Sequence, residues 1–324
     1  MDKYFDEVFE KQFKLKSMDN IRAEVVKKST CENGKTITTF RLKYPRYIHS
    51  EVLTHSLFVR NSASSRAIPV SGLIRQVCDN PVIPLEFGKN KPGMWADELL
   101  DEKVEDEALQ TWINASCDAV IHARQFEMLG VHKQVANRVL EPFMWMNTIV
   151  TATEWENFYF LRRKTEDYKE AQPEIAQLAE KMWEADQKVT ATFLQPYQWH
   201  VPFVDLDSER NIYSIDDQVI SEEDALKVSA SVCAQVSYRK EDKSVEKAHK
   251  IWEKLVGVSR VHASPFAHQA KPISTKYYTS VNMDYNLWKN EPGITHRDKK
   301  DQLWSAQFNG WIMHRKLIPN EAIW

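Results

Sequence analysis

The chain has 324 residues, of which 43% are hydrophobic and 27% charged, and its formal net charge is −3. That length can bury a sizeable core and those fractions are ordinary for a globular protein, so disorder is not the starting expectation. The basic excess by which non-specific nucleic-acid binders neutralise phosphates is absent, so no nucleic-acid partner is expected, while a single nucleotide held by a few arginines is compatible.

Four cysteines, Cys31, Cys78, Cys117 and Cys233, lie far apart with no Cys-x-x-Cys pair. Neither a zinc site nor a disulfide framework is expected from such spacing. No apolar run approaches ~20 residues, and the charged N-terminus lacks a signal-peptide core. A soluble, cytoplasmic protein without a membrane partner is expected. Eight glycines are few, with no GxGxxG and no P-loop pattern. Any nucleotide must therefore be held by side chains and helix termini.

In chain order, residues 36–44 are β-branched and alternating, which predicts a strand. Pro45 ends it. Residues 46–59 then place Ile48, Val52 and Leu53 on one helical face, and the small polar residues 60–66 read as a loop closed by Ile68-Pro69. Residues 79–97, with three prolines and two glycines, predict irregular structure. From about 98 to 129 the spacing of Leu109, Trp112, Ile113, Val120 and Ala123 predicts a helix, capped by Gly130. A second helix is expected from His132 to about Leu140.

Thr153-Glu154-Trp155-Glu156 has the form of a capping box and predicts a helix through Arg162. Pro173 suits the first turn of a helix over 174–190. Ser221 and Ser244 suit N-caps of two further helices, ending near Val232 and Gly257. The tail, about 270–324, is rich in aromatics without clear period. Trp304 and Trp311 in it fit a lid, an interface or plain packing. Helices outnumber strands, no repeat or linker is visible, and one domain spanning 1–324 is expected. The fold class is α+β, with helices packed on a mixed or antiparallel sheet.

Read by themselves, His55 to Arg66 place a histidine near a helix end, followed by Arg60, Asn61, Ser62, Ser64, Ser65 and Arg66. Hydroxyls and guanidinium groups can cradle a phosphate. A solvated loop beside an ordinary histidine accounts for the same residues. Arg138 and Arg162, on expected helices, equally suit surface ion pairs. Asn157 and Leu161 share a helical face.

Taken together, these segments resemble the flavin-dependent thymidylate synthase family. Its signature is Arg-His-Arg, seven residues, Ser, and an arginine two positions later; here stand Thr54-His55-Ser56, seven residues, and Ser64-x-Arg66. Arg138-x-x-x-Pro142 resembles the family's Arg-x-x-Leu-Pro. Asn157-Phe158-x-x-Leu161-Arg162 and Ala171-Gln172-x-Glu174-Ile175 resemble Asn-Phe-x-x-Leu-Arg and Ala-Gln-x-Glu-Ile. Ala234 to Tyr238, Glu246-Lys247 and His262-x-Ser264-Pro265-Phe266-x-His268 resemble a third segment, which in the usual order precedes the others. The order here looks circularly permuted, which a compact fold with neighbouring termini tolerates. Ser64 to Pro69, Pro92 to Met94 and Thr151 to Trp155 resemble a longer, phage-type branch.

The resemblance implies binding of FAD and dUMP. It also implies methylenetetrahydrofolate as carbon donor, NADPH as reductant, and a homotetramer with shared sites. It places His55 near the flavin ring with Thr54, Ser56, Arg60, Asn61, Asn157, Leu161, Ser237 and Ser264. It gives dUMP to Ser64, Ser65, Arg66, Arg138 and Arg162, with Arg138 reaching dUMP from another subunit. Arg162, Arg66 and His55 become the catalytic group, Arg162 polarising the pyrimidine and Arg66 stabilising charge that develops on it. No nucleophilic cysteine is implied.

Two departures stand out. Both arginines of the triplet are replaced, by Thr54 and Ser56, and Thr151 and Thr153 stand where typical members carry Asn and Arg. Hydrogen bonds to charged groups contribute roughly 1.5–3 kcal/mol each. Arg60, four residues after Ser56 and about one helical turn on, is the candidate to compensate. Three functions remain open: thymidylate synthesis, hydroxymethylation of a pyrimidine deoxynucleotide, and nucleotide binding without catalysis.

Overall fold

A computed structural model describes residues 20–166, 170–237, 240–258, 261–278 and 287–322. Strands β1 (Arg22–Cys31) and β2 (Thr36–Pro45) form an antiparallel hairpin. Its turn passes through Gly34 at φ +77°, a backbone region costly for residues with a Cβ. A 3-10 turn (Arg46–Ile48), a short helix α1 (His49–Leu53) and strand β3 (Val59–Ser62) follow. Helices α2 (Val70–Asp79), α3 (Glu102–Met128) and α4 (Lys133–Ala136) come next, and then a 3-10 stretch (Asn137–Phe143). Strand β4 (Trp145–Ala152), helices α5 (Glu156–Arg162) and α6 (Pro173–Gln187) and strand β5 (Thr192–Leu194) complete the first part.

These strands make one five-stranded sheet in the order β3-β4-β2-β1-β5. All neighbours are antiparallel except β1 and β5. The sheet is therefore mixed, and the fold is α+β. Alternation along β2 sends Phe40, Leu42 and Tyr44 to one face, where they are buried with Ile175, Leu178, Ala179 and Met182 of α6 and with Trp155 and Phe158. A fully buried side chain of this size stabilises the fold by roughly 1.5–3 kcal/mol. Beside the sheet, α2 and α3 pack with the 3-10 stretch around Leu73, Val77, Ala123 and Leu140.

The second part of the chain covers the other face. It contributes the meander β6 (Asp205–Asp207), β7 (Ile212–Ile215) and β8 (Gln218–Ile220), and helices α7 (Glu222–Ala234) and α8 (Val245–Leu255). The short strands β9 (Ala270–Pro272), β10 (His296–Arg297), β11 (Leu303–Ser305), β12 (Phe308–Asn309) and β13 (Trp311–Met313) follow. A buried polar chain joins this part to the sheet. Ser29 Oγ meets His200 Nδ1 at 2.9 Å, and His200 Nε2 meets Thr39 Oγ1 at 2.9 Å. Thr39 then bonds Thr151 at 2.7 Å, and Thr151 bonds His268 Nδ1 at 2.8 Å. Burial drives the His268 pKa down to about 3 and holds His200 well below its usual value, helped by Lys27 and His268.

Several expectations need correction. The helix expected over 46–59 stops at Leu53, and Val59–Ser62 is a strand. Ile48 and Val52 are buried, but Leu53 is exposed. The capping box does not form. Thr153 Oγ1 accepts from the Asn309 amide at 2.9 Å instead, and α5 begins at Glu156 without a side-chain cap. Beyond Ala136 the expected second helix continues as a 3-10 stretch through Pro142. Among the strands of the described residues only β2 is anticipated from the sequence; β4 is the inner strand that aligns β3 with β2. The caps at Ser221 and Ser244 are as expected, each hydroxyl accepting an amide three residues on. Trp311 is packing, fully buried with Cys31, Ile37 and Phe308, whereas the Trp304 indole donates to Asp298 at 3.0 Å.

Candidate functional site

The site gathers at the β3 end of the sheet, where α1, the turn after β3, α5 and the end of α7 meet. Helix α1 sets the first part. At its C-terminus, Thr54 turns back on its own helix, with both its amide (3.2 Å) and its hydroxyl (2.6 Å) bonded to the Glu51 carbonyl. Arg60 lies on β3, so the helical register proposed to bring it beside Ser56 does not exist. Its Nη1 donates to the carbonyls of Val52 (3.2 Å), Leu53 (3.2 Å) and His55 (2.9 Å). A cation over the last carbonyls of a helix satisfies acceptors the helix cannot. Thr54 and Arg60 are thus committed to the backbone, and Ser56 is exposed.

His55 follows the helix end. Its ring stacks on Phe58 (centroids 5.5 Å apart), and Phe158 meets it edge-on at 4.8 Å. Phe158 and Arg162 are one helical turn apart on α5, so the helix that supplies the ring contact also delivers the guanidinium. Arg162 Nε donates to His55 Nε2 at 3.3 Å. Arginine only donates, so Nε2 is an acceptor and the imidazole is neutral. Burial, then Arg162 and Arg60, push the His55 pKa down to about 4. Asn157, Phe160 and Leu161 lie exposed on the same short helix, as do Leu53 and Leu57 at the end of α1.

The second part is the turn after β3. The Ala63 amide bonds the Asn147 carbonyl at 2.9 Å, and the Ala67 amide closes onto Ser64 at 2.9 Å. Buried Asn137 donates to the carbonyls of Ser65 (2.7 Å) and Ile68 (3.0 Å). The Ser64 amide donates to the Ser237 hydroxyl at 2.9 Å, and Asn61 donates to the Cys233 carbonyl at 3.2 Å. Residues separated by more than 170 positions in sequence therefore meet here. The 3-10 turn Ser264–Ala267 packs on α7 and β3, with Ser264 exposed. Tyr238, of the same sequence segment, lies outside the described residues.

Arg66 is exposed, with no ion pair among the described residues. Ser65 is buried, and its hydroxyl donates to Glu141 Oε1 at 2.9 Å. Arg138 Nη1 donates to the same oxygen at 2.8 Å, and Arg46 Nη2 lies 3.1 Å from it. So Arg138 reaches the Ser65 turn within one chain. Arg46 and Glu141 were not singled out from sequence; the only signal was an acidic residue where the Arg-x-x-Leu-Pro pattern has leucine. Nearby, His49 bonds the Tyr44 hydroxyl at 2.9 Å, and burial with Arg46 and Arg60 lowers its pKa to about 4.

No family model matches the sequence, and no curated protein does. Among solved structures, the chain is similar to a UMP/dUMP methylase, PolB, from Streptomyces cacaoi. The form bound with 5-Br dUMP gives a TM-score of 0.42 at 16% identity, covering 53% of this chain and 91% of that one. The form bound with 5-Br UMP gives 0.45 at 18%, covering 53% and 90%. Thymidylate Synthase X (ThyX) from Helicobacter pylori, with FAD and dUMP, gives 0.30 at 15%, covering 46% of this chain and 67% of that one. These are partial likenesses, reaching about half of this chain.

Proposed function

We propose that this chain is a flavin-dependent enzyme that methylates C5 of dUMP, with methylenetetrahydrofolate as carbon donor and NADPH as reductant. The observation that supports this most is the meeting of the separate motif segments. Ser64 touches Ser237, Asn61 touches the end of α7, and Arg162 touches His55. Nothing in local structure requires residues of those types, so far apart in the chain, to converge on one sheet end.

The residues fit a flavin in part. Leu57 and Leu161, close in sequence to the bonded His55–Arg162 pair, are exposed, which suits a flat ring with polar edges. Thr54 and the Nη1 of Arg60 are turned to the backbone, and Thr54 and Ser56 bring no charge for the pyrophosphate. In this proposal that charge comes from a neighbouring copy in a homotetramer, and Asn157, Ser237 and Ser264 complete the flavin side.

Bound reduced flavin would supply the hydride that completes the methyl group. The chain's own residues do the rest by binding and electrostatics. Ser64, Ser65 and Arg66 hold the nucleotide at the braced turn, and Arg138 adds a second guanidinium. Arg162 keeps its terminal nitrogens for the pyrimidine, because His55 engages only Nε. A neutral His55 leaves that guanidinium uncompensated, so its full charge faces electron density growing on the ring.

The test is a visible spectrum of the purified protein, followed by mass analysis of the product formed from dUMP with the folate and NADPH. Flavin absorbance and dTMP support the assignment. A hydroxymethyl product would instead give the chain the hydroxymethylase reaction. A colourless protein that oxidises no NADPH would make it a nucleotide-binding homologue without catalysis.

A further inference from the structure

We propose that Glu141 is an internal stand-in for the nucleotide phosphate, holding Arg138, Arg46 and Ser65 until the phosphate takes them over. The proposal rests on the assignment of the turn after β3 to a phosphate-bearing ligand.

The geometry points to exchange and not to a fixed structural ion pair. All three donors converge on one carboxylate oxygen: Ser65 Oγ at 2.9 Å, Arg138 Nη1 at 2.8 Å and Arg46 Nη2 at 3.1 Å. A carboxylate oxygen has two lone pairs, so three donors share acceptor capacity meant for two. A phosphate brings three oxygens and more charge, and it accepts from all three donors without sharing.

The backbones of Ser65 and Arg46 are fixed independently of the Glu141 side chain. Ser65 is fixed by Asn137 through its carbonyl at 2.7 Å. Arg46 sits on the 3-10 turn that ends β2, tied by its amide to the Met144 carbonyl at 2.9 Å. Arg138 precedes Glu141 by three residues in one 3-10 stretch, and its side chain is half exposed. Release of the carboxylate therefore needs rotation of one side chain and no backbone movement. A leucine, which the resembled pattern has at this position, could not hold these groups.

A competing internal anion lowers the affinity for every phosphate-bearing ligand and leaves the unphosphorylated nucleoside untouched. Calorimetric titration of the full chain with dUMP, inorganic phosphate and deoxyuridine tests this, using the natural protein, Glu141→Gln and Glu141→Asp. Glutamine keeps an oxygen for Ser65 but drops the charge; aspartate withdraws the charge by one methylene. Glu141→Gln is expected to bind dUMP and phosphate roughly tenfold more tightly at low salt, Glu141→Asp by a smaller factor, and deoxyuridine equally in all three. Weaker or unchanged phosphate binding in both variants overturns the proposal, as does a parallel change for deoxyuridine. Failure of dUMP to bind the natural protein, while phosphate binds and responds to Glu141, overturns the nucleotide assignment alone. No binding of either ligand to any of the three proteins overturns both.

Discussion

The turn after β3 and the turn after α1 lie a few residues apart in sequence, yet they are built on different principles. The first is braced from outside. Asn137, Asn147 and Ser237 fix its backbone from three distant segments, and Glu141 holds its buried serine. The second is braced from within. Thr54 and Arg60 satisfy the carbonyls of α1 itself, and the His55 ring is bonded, among the described residues, to Arg162. On the proposed assignment, such a rigid frame suits recognition of a phosphate, whose position would be set before it arrives. The open turn leaves Arg162, Asn157 and Leu161 facing outward, as a surface that a ring or a second copy of the chain would complete.

The largest effect expected from breaking this contrast is at the open turn. On the proposed assignment, Arg162→Ala should lower turnover about 10²–10³-fold while leaving flavin bound, because the guanidinium would act on charge that develops only in the transition state. Absorbance and kcat measured on the same preparation check this, and unchanged turnover would refute the role.

A second prediction concerns acid. His268 is lowered to about 3 and His55 to about 4, in both cases chiefly by burial. Above the ordinary value of ~6.5 both folded and unfolded chains are neutral at these sites and nothing is lost. As pH falls from there towards 4, the unfolded chain takes up protons that the native protein cannot, so stability declines. Thermal melts between pH 7.5 and 4 should show a falling Tm. His268→Gln should flatten the curve more than His55→Gln, since the buried position holds the larger shift. Equal slopes in all three proteins would mean that the buried chain across the sheet is not what carries the acid sensitivity.

The smallest effect belongs to the braced turn, where contacts are redundant. Ser237→Ala removes one acceptor and should cost about 1 kcal/mol of stability, with dUMP affinity reduced only a fewfold. Denaturant melts and titration measure it. A loss of binding comparable to that at Arg162 would show that the brace depends on one bond, against the contrast drawn above.

The sequence by itself settled what local chemistry decides. Helices with strong periodicity or clear caps, such as Glu102–Met128 and the two opened by Ser221 and Ser244, stand close to where spacing placed them. So does β2, whose alternation follows from one well-packed face. The α+β class was legible from these alone. What only the tertiary structure decided is where side chains spend their hydrogen bonds. Thr153 looked like a cap and serves Asn309; Arg60 looked like a ligand for flavin and closes α1. Strand β4 escaped notice because, buried on both faces, it lacks the alternation that marks β2. Arg46 and Glu141 could not be found from spacing, since a carboxylate becomes a site only when folding brings donors to it, here Ser65 from 76 and Arg46 from 95 residues away. Burial then does what no motif records, holding His55 neutral beside an arginine whose charge is left for something else.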